Sequence, residues 1–138
     1  MPTKSKTSSN RYIFSVGRRR SAVATVKLHP KKGESTVNAL PLAKYFSRLS
    51  DKIVYNLPFV LTDTVDKFSF DAIIRGGGLN GQLKALVLAI SRSLVKHDPD
   101  FKPLLRPQGL LTVDSRVRQR RQVGTGGKAR RQKQSPKR

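Results

Sequence analysis

The segregation of charge along this chain limits what it can fold into more than any other feature. All 8 acidic residues lie between Glu34 and Asp114, and the stretches before and after contain none. The acid-free N-terminal stretch through Gly33 carries 9 basic residues, and the one from Arg116 to Arg138 carries 10. The remaining 10 basic residues share the middle with the acids, so the middle is close to neutral while the whole chain stands at +21. Such a chain repels itself when compact and calls for a polyanionic partner. A near-neutral middle of about 80 residues is enough for one small hydrophobic core but not for two. The expected organisation is a disordered basic N-terminus over 1–10, one globular domain over 11–114, and an extended basic tail over 115–138.

Several function classes drop out early. The chain has no cysteine, which removes disulfides and thiolate metal sites. No apolar run approaches the roughly 20 residues needed to span a bilayer. The start, Met1-Pro2-Thr3-Lys4-Ser5-Lys6, lacks the apolar stretch of a secretory signal, so the expected location is cytoplasmic.

Within the middle, hydrophobic periodicity predicts the elements. Tyr12 to Val16 reads as a strand, Gly17-Arg18-Arg19-Arg20 as a tight basic connection, and Ala22 to Leu28 as a second strand forming a hairpin with the first. Ser35 to Asn38 reads as a further short strand. Pro41 suits a first helical position, followed by Leu42, Tyr45, Phe46 and Leu49 at helical spacing. Ser50-Asp51 reads as the cap of a short helix through Leu57, with Ile53, Val54 and Leu57 inward. Lys67 to Arg75 shows the clearest alternation, with Phe68, Phe70, Ala72 and Ile74 on one face. Leu79 to His97 reads as a long helix whose stripe is Leu79, Leu83, Leu86, Val87, Ile90 and Leu94. Asn80 is its expected cap, Lys84, Ser91 and Arg92 face the other side, and Asp98-Pro99 stops it. Phe101 to Gly109 is irregular with a turn of helix.

Gly76-Gly77-Gly78-Leu79-Asn80-Gly81 satisfies the dinucleotide pattern G-x-G-x-x-G between a strand and a helix, with Asp98 and Asp100 about 20 residues on. The context fails. Those acids belong to a helix-ending turn, and too few residues follow to build the rest of such a fold. The glycines instead permit a sharp strand-to-helix turn, and the helix N-terminus can accept a phosphate. His29 and His97 have no metal-ligand spacing. Asp63/Asp66 and Asp98/Asp100 sit in turns, where Asp bonds its local backbone. No catalytic residue, metal or cofactor is assigned.

The basic segments point to RNA. Arginine grips phosphate bidentately, and the tail adds Gln119, Gln122, Gln132 and Gln134 as hydrogen-bonding groups for sugars and phosphates. Gly124, Gly126 and Gly127 let the tail bend, and it has no apolar face for lipid. Two other classes stay open on these grounds. A DNA-binding protein would need a recognition helix, although the best helix is mostly apolar. A small nucleotide-dependent enzyme would use the glycine loop.

Taken in order, several segments resemble the family of small-ribosomal-subunit protein nine, in a bacterial-type form. They are Gly17-Arg18-Arg19-Arg20-Ser21-Ala22, Pro41-Leu42-Ala43-Lys44-Tyr45-Phe46, Ile73 through Gln82, and Ser91-Arg92-Ser93-Leu94. Leu104-Leu105-Arg106, Gly109 through Arg116, Lys128-Ala129-Arg130-Arg131 and terminal Lys137-Arg138 complete the set. The resemblance implies an α+β fold: a mostly antiparallel four-stranded sheet packed by helices, like the second domain of ribosomal protein five, with a long tail. It implies a non-enzymatic constituent of the small subunit, docked on ribosomal RNA in the head beside neighbouring head proteins, with no small-molecule substrate. RNA contacts are expected from Arg18, Arg19, Arg20 and Arg75, and along the tail from Arg116, Arg118, Arg120, Arg121, Lys128, Arg130, Arg131 and Lys133. The family's tail reaches the peptidyl site, which puts Lys137 and Arg138 at transfer RNA. Three positions depart from the family pattern. Gln119 stands where Glu is common, and Gly126-Gly127 replace residues that are often basic. Pro136 replaces the usual Ser, removing an amide donor beside the terminal pair.

Overall fold

In the computed structural model, which describes residues 11–126, the sheet is built around a basic hairpin. Strand β1 (Ile13–Arg19) pairs antiparallel with β2 (Ala22–His29), in register from Ile13↔Leu28 to Arg19↔Ala22. The turn is therefore only Arg20-Ser21, and Gly17, Arg18 and Arg19 belong to the strand rather than to the connection. Arg20 takes a left-handed φ of 54° to close it. β2 in turn pairs antiparallel with β5 (Ser69–Arg75). On these three strands Ser15, Ala22, Ala24, Val26, Leu28, Phe70, Ala72 and Ile74 are buried, as alternation requires.

The expected four-stranded, mostly antiparallel sheet is corrected here to a mixed five-stranded sheet in the order β1-β2-β5-β3-β4. The short β3 (Thr36–Val37) runs parallel to β5, because the chain crosses through helices before it returns as β5. β4 (Leu40–Pro41) is the fifth strand and pairs with β3. Two residues, one of them proline, carry no readable alternation, and an edge strand tolerates the missing amide. Asn38 and Ala39 form the turn with φ of 49° and 66°. Asn38 then extends β3 with its side chain, donating Nδ2–H to the Ile74 carbonyl (3.0 Å) and accepting the Ile74 amide (2.9 Å).

α1 (Leu42–Tyr45) is followed by α2 (Leu49–Leu61). α2 continues four residues past the expected end at Leu57 and buries Tyr55, Pro58 and Phe59. Ile53 is 66% exposed and Val54 also faces outward, against expectation. The reason is Pro58: its ring is fully buried, which fixes the inward face, and Phe59 stacks on Phe70 at 6.2 Å between centroids.

α3 (Leu79–His97) has the expected bounds. Its cap position is Gly78, with no side-chain cap, rather than Asn80. Leu79, at the helix start, is exposed. Ser91 is fully buried on the core side, its hydroxyl donating to the Val87 carbonyl at 2.8 Å. α3 lies across β1 and β2 and touches β1 most closely at Gly17. A Cβ there would stand 2.1 Å from the Ala85 carbonyl oxygen and 2.6 Å from the Ala89 amide. Beside this crossing, Ser15 donates to the Ala89 carbonyl (2.6 Å) and also hydrogen-bonds Ser93. A 3-10 turn (Pro99–Phe101), capped by Asp98 accepting the Asp100 amide, leads into α4 (Lys102–Leu105). From Thr112 to Gln122 the chain has no helix or strand. The fold is α+β.

Candidate nucleic-acid interface

One end of the sheet gathers arginines that are distant in sequence. Register places Arg18 opposite Val23, and Val23 opposite Arg75. Arg18 and Arg75 are both exposed and share one row, their backbones about 10 Å apart across two strand spacings. The glycine cluster closes this end onto the hairpin turn. Gly76 (φ 75°) would put a Cβ 2.5 Å from the Ser21 carbonyl oxygen, and Gly77 (φ 67°) lies against Ala22. The G-x-G-x-x-G match therefore serves backbone packing, bringing the end of β5 beside exposed Arg20. An anion approaching this end meets Arg18, Arg20 and Arg75.

The middle arginine of the triplet behaves differently. Arg19 is on the inward face and only 7% exposed. Its guanidinium forms an ion pair with Asp114 (Nη2–Oδ2 3.3 Å) and donates from Nη1 to the Arg116 carbonyl (3.0 Å). Arg116 closes the same carboxylate from outside, with Nη2 2.7 Å and Nε 2.9 Å from Asp114 oxygens. Asp114, the last acid in the chain, is thus held between two guanidiniums where the basic tail leaves the domain. The arrangement is a latch that fixes the exit of the tail and leaves most of Arg19 unavailable to an outside anion.

The latch sets its own pH range. The hydrogen bonds from Arg116, with the neighbouring charges of Arg116 and Arg19, hold the Asp114 carboxyl well below the usual carboxylate range. A depressed folded-state pKa means the contribution is complete above the ordinary carboxylate pKa and is lost only as pH falls through the depressed value. The Asp114 carboxyl carbon should therefore show no titration step by NMR between about pH 6 and pH 3, the range that brackets the ordinary value of ~3.9. A step near that value would mean the latch is open in solution.

Beyond the latch, Arg118, Arg120 and Arg121 are exposed. Gly124 and Gly126 adopt φ of 83° and 86°, the bends expected of them, around a turn in which Thr125 Oγ1 donates to the Gln122 carbonyl at 2.7 Å. The N-terminal segment 1–10 and, in the tail, Gly127, Lys128, Arg130, Arg131, Gln132, Lys133, Gln134, Pro136, Lys137 and Arg138 lie outside the described residues.

Sequence reasoning found the exposed arginines but missed the latch. The available signal was the position of Asp114, a single acid at the border between core and tail. It also missed the cations of α3. Arg92 Nη1 donates to the Val16 carbonyl and Lys96 Nζ to the Phe14 carbonyl, both at 2.7 Å, closing the edge of β1.

Known proteins resemble this chain over most of its length. A family model described as ribosomal protein S9/S16 matches residues 17–138. A small ribosomal subunit protein uS9 from Methylacidiphilum infernorum is 42% identical over 118 residues, covering 86% of this chain and 87% of the relative. A uS9 from Mycoplasmopsis synoviae is 42% identical over 126 residues, covering 89% and 93%. A uS9 from Lawsonia intracellularis is 37% identical over 116 residues, covering 84% and 89%.

Proposed function

The chain belongs to the ribosomal protein S9/S16 family, and from that membership we propose that it docks on small-subunit ribosomal RNA in the head and sends its tail to transfer RNA in the peptidyl site. The family is one of structural ribosomal proteins, not enzymes. The working location is the cytoplasmic ribosome, with neighbouring head proteins as further partners. In the proposed organisation, residues 11–114 form the docking domain and 115–138 the arm.

The observation that carries this reading is the shared placement of two basic elements. The Arg18–Arg75 row and Arg20 occupy the hairpin end of the sheet, and the Arg19–Asp114–Arg116 latch starts the tail from that same hairpin. Phosphate contacts by Arg18, Arg20 and Arg75 position the domain; those of Arg116, Arg118, Arg120 and Arg121 continue along the arm. Arg19 contributes by holding the arm in place. Lys128, Arg130, Arg131 and Lys133 extend the same path to Lys137 and Arg138 at the transfer RNA. Such contacts read no sequence, so specificity comes from RNA shape.

Two substitutions test the two halves of this reading. Arg20→Asn removes a charge at a left-handed position that Asn tolerates better. Melting should be unchanged, while the slope of log K against log[salt] for ribosomal RNA falls by roughly 0.7–0.9. Deleting Ser135 to Arg138 should leave subunit assembly intact and weaken transfer RNA binding in the peptidyl site. Unchanged transfer RNA affinity across a salt series would remove the role given to Lys137 and Arg138.

A further inference from the structure

α3 lays donors along the open edge of β1 in a regular row, Lys96 to the Phe14 carbonyl and Arg92 to the Val16 carbonyl. The match is geometric. Four helical residues rise about 6 Å and two strand residues about 6.6 Å, so donors four apart meet acceptors two apart. The next step pairs position 88 with the carbonyl of Arg18. Position 88 is Leu, which has no donor, and the row stops there.

A cleft of about 260 Å³ opens at that step, between β1, α3, α2 and the segment leading to the tail. Val54, Val87, Leu88 and Leu110 give it an apolar floor, with Lys84 one helical turn from Leu88. Arg18, Arg19 and Asp114 line the end nearest the latch. Among the described residues that line it, the one acid, Asp114, is already neutralised by two guanidiniums, so the field at the mouth is positive.

We propose that this cleft receives one unpaired nucleotide of the ribosomal RNA, its base against Val54, Leu88 and Leu110 and a flanking phosphate at Lys84. The proposal rests on the RNA-docking reading above and adds a defined nucleotide site to it. A splayed base has the chemistry the cleft asks for. It offers a flat apolar face to the aliphatic floor, an N–H or 2′-OH donor to the Arg18 carbonyl, and a phosphate to the lysine. An aliphatic side chain from a protein partner would fill the floor but offer no donor to the Arg18 carbonyl, which is unfavourable. The volume is below the ~300–1,000 Å³ typical of drug-sized ligands, which fits a single base. The cleft shares Arg18 with the exposed arginine row of the sheet and Asp114 with the latch, so a strand held at that row has a short path into it.

The test uses small subunits reconstituted with the full-length chain as wild type, Val54→Trp or Lys84→Gln, read by dimethyl sulfate probing and by competition for incorporation. Val54→Trp fills the cleft from an outward-facing position. Lys84→Gln changes an exposed side chain and leaves the core alone. The expected result is one unpaired base protected by the wild type and exposed by both variants. Incorporation should weaken roughly tenfold for Val54→Trp, and the salt slope should fall by roughly 0.7–0.9 for Lys84→Gln. Identical base protection in all three proteins overturns the nucleotide site while leaving RNA docking intact. Protection that appears only when a neighbouring protein is present, or that is lost only with that protein, assigns the cleft to a protein side chain and also overturns it. Failure of the wild type to incorporate overturns the docking reading itself.

Discussion

Gly17→Ala should lower the stability of this domain by about 2–3 kcal/mol, with a fall in melting temperature of roughly 10–20 °C. The new methyl would sit 2.1 Å from the Ala85 carbonyl oxygen and 2.6 Å from the Ala89 amide, both backbone atoms of α3. Neither can rotate away, so the helix must lift from β1. Lifting it stretches the Ser15 hydrogen bond to the Ala89 carbonyl and the donor row from Arg92 and Lys96 to the edge of β1. Gly78→Ala is the control: nothing lies within 4 Å of its added Cβ, and its φ of −98° suits any residue. That variant loses only the preference for Gly over Ala at the cap of α3, about 0.5–1 kcal/mol, so it should melt roughly 5 °C below wild type and well above Gly17→Ala. Thermal melts followed by circular dichroism on the three proteins check the pair. Equal melting of Gly17→Ala and wild type would mean that α3 does not rest on Gly17.

Gly17 also shows where sequence reading stops. Periodicity reports which face of an element is apolar, and that was enough for β5 and for α3, whose stripe and Asp98-Pro99 stop fix the bounds. It cannot report how closely two backbones approach, because the missing Cβ at Gly17 carries no hydropathy signal. The same limit explains Arg19. Alternation along β1 puts it on the inward face, yet its charge argued for solvent, and only the distant Asp114 reconciles the two. In α2 the apolar Ile53 and Val54 were read as core although Pro58 and Phe59 define the buried face. β4 is too short to alternate at all. For the interface, Arg18, Arg20 and Arg75 were legible as basic residues, but their shared end of the sheet depends on the register of β2 against β5. The family resemblance carried the fold class, while the parallel β3–β5 pairing and the fifth strand had to come from the structure.

Truncation after Val117 should produce the largest change in binding. It removes 9 basic residues while retaining Arg116, so Asp114 keeps both guanidinium partners and the domain should melt as the full chain does. If about half of the removed cations contact phosphate, the slope of log K against log[salt] for ribosomal RNA falls by roughly 3–4. Over a fourfold rise in salt, the full chain should then lose roughly two orders of magnitude more affinity than the truncated one. Filter binding across a salt series measures this directly. Asp114→Asn provides the complementary variant. It leaves every tail cation in place but weakens the latch, so the arm departs from the domain without a fixed direction. Its salt slope should not fall below that of wild type, because every tail cation remains and Arg19 and Arg116 are released from the carboxylate. Its affinity should fall, because the arm must now be ordered on binding and its conformational entropy offsets part of the electrostatic gain. A truncated protein whose slope matched the full chain would place the phosphate contacts on the domain alone, leaving the exposed arginines of the tail without a binding role.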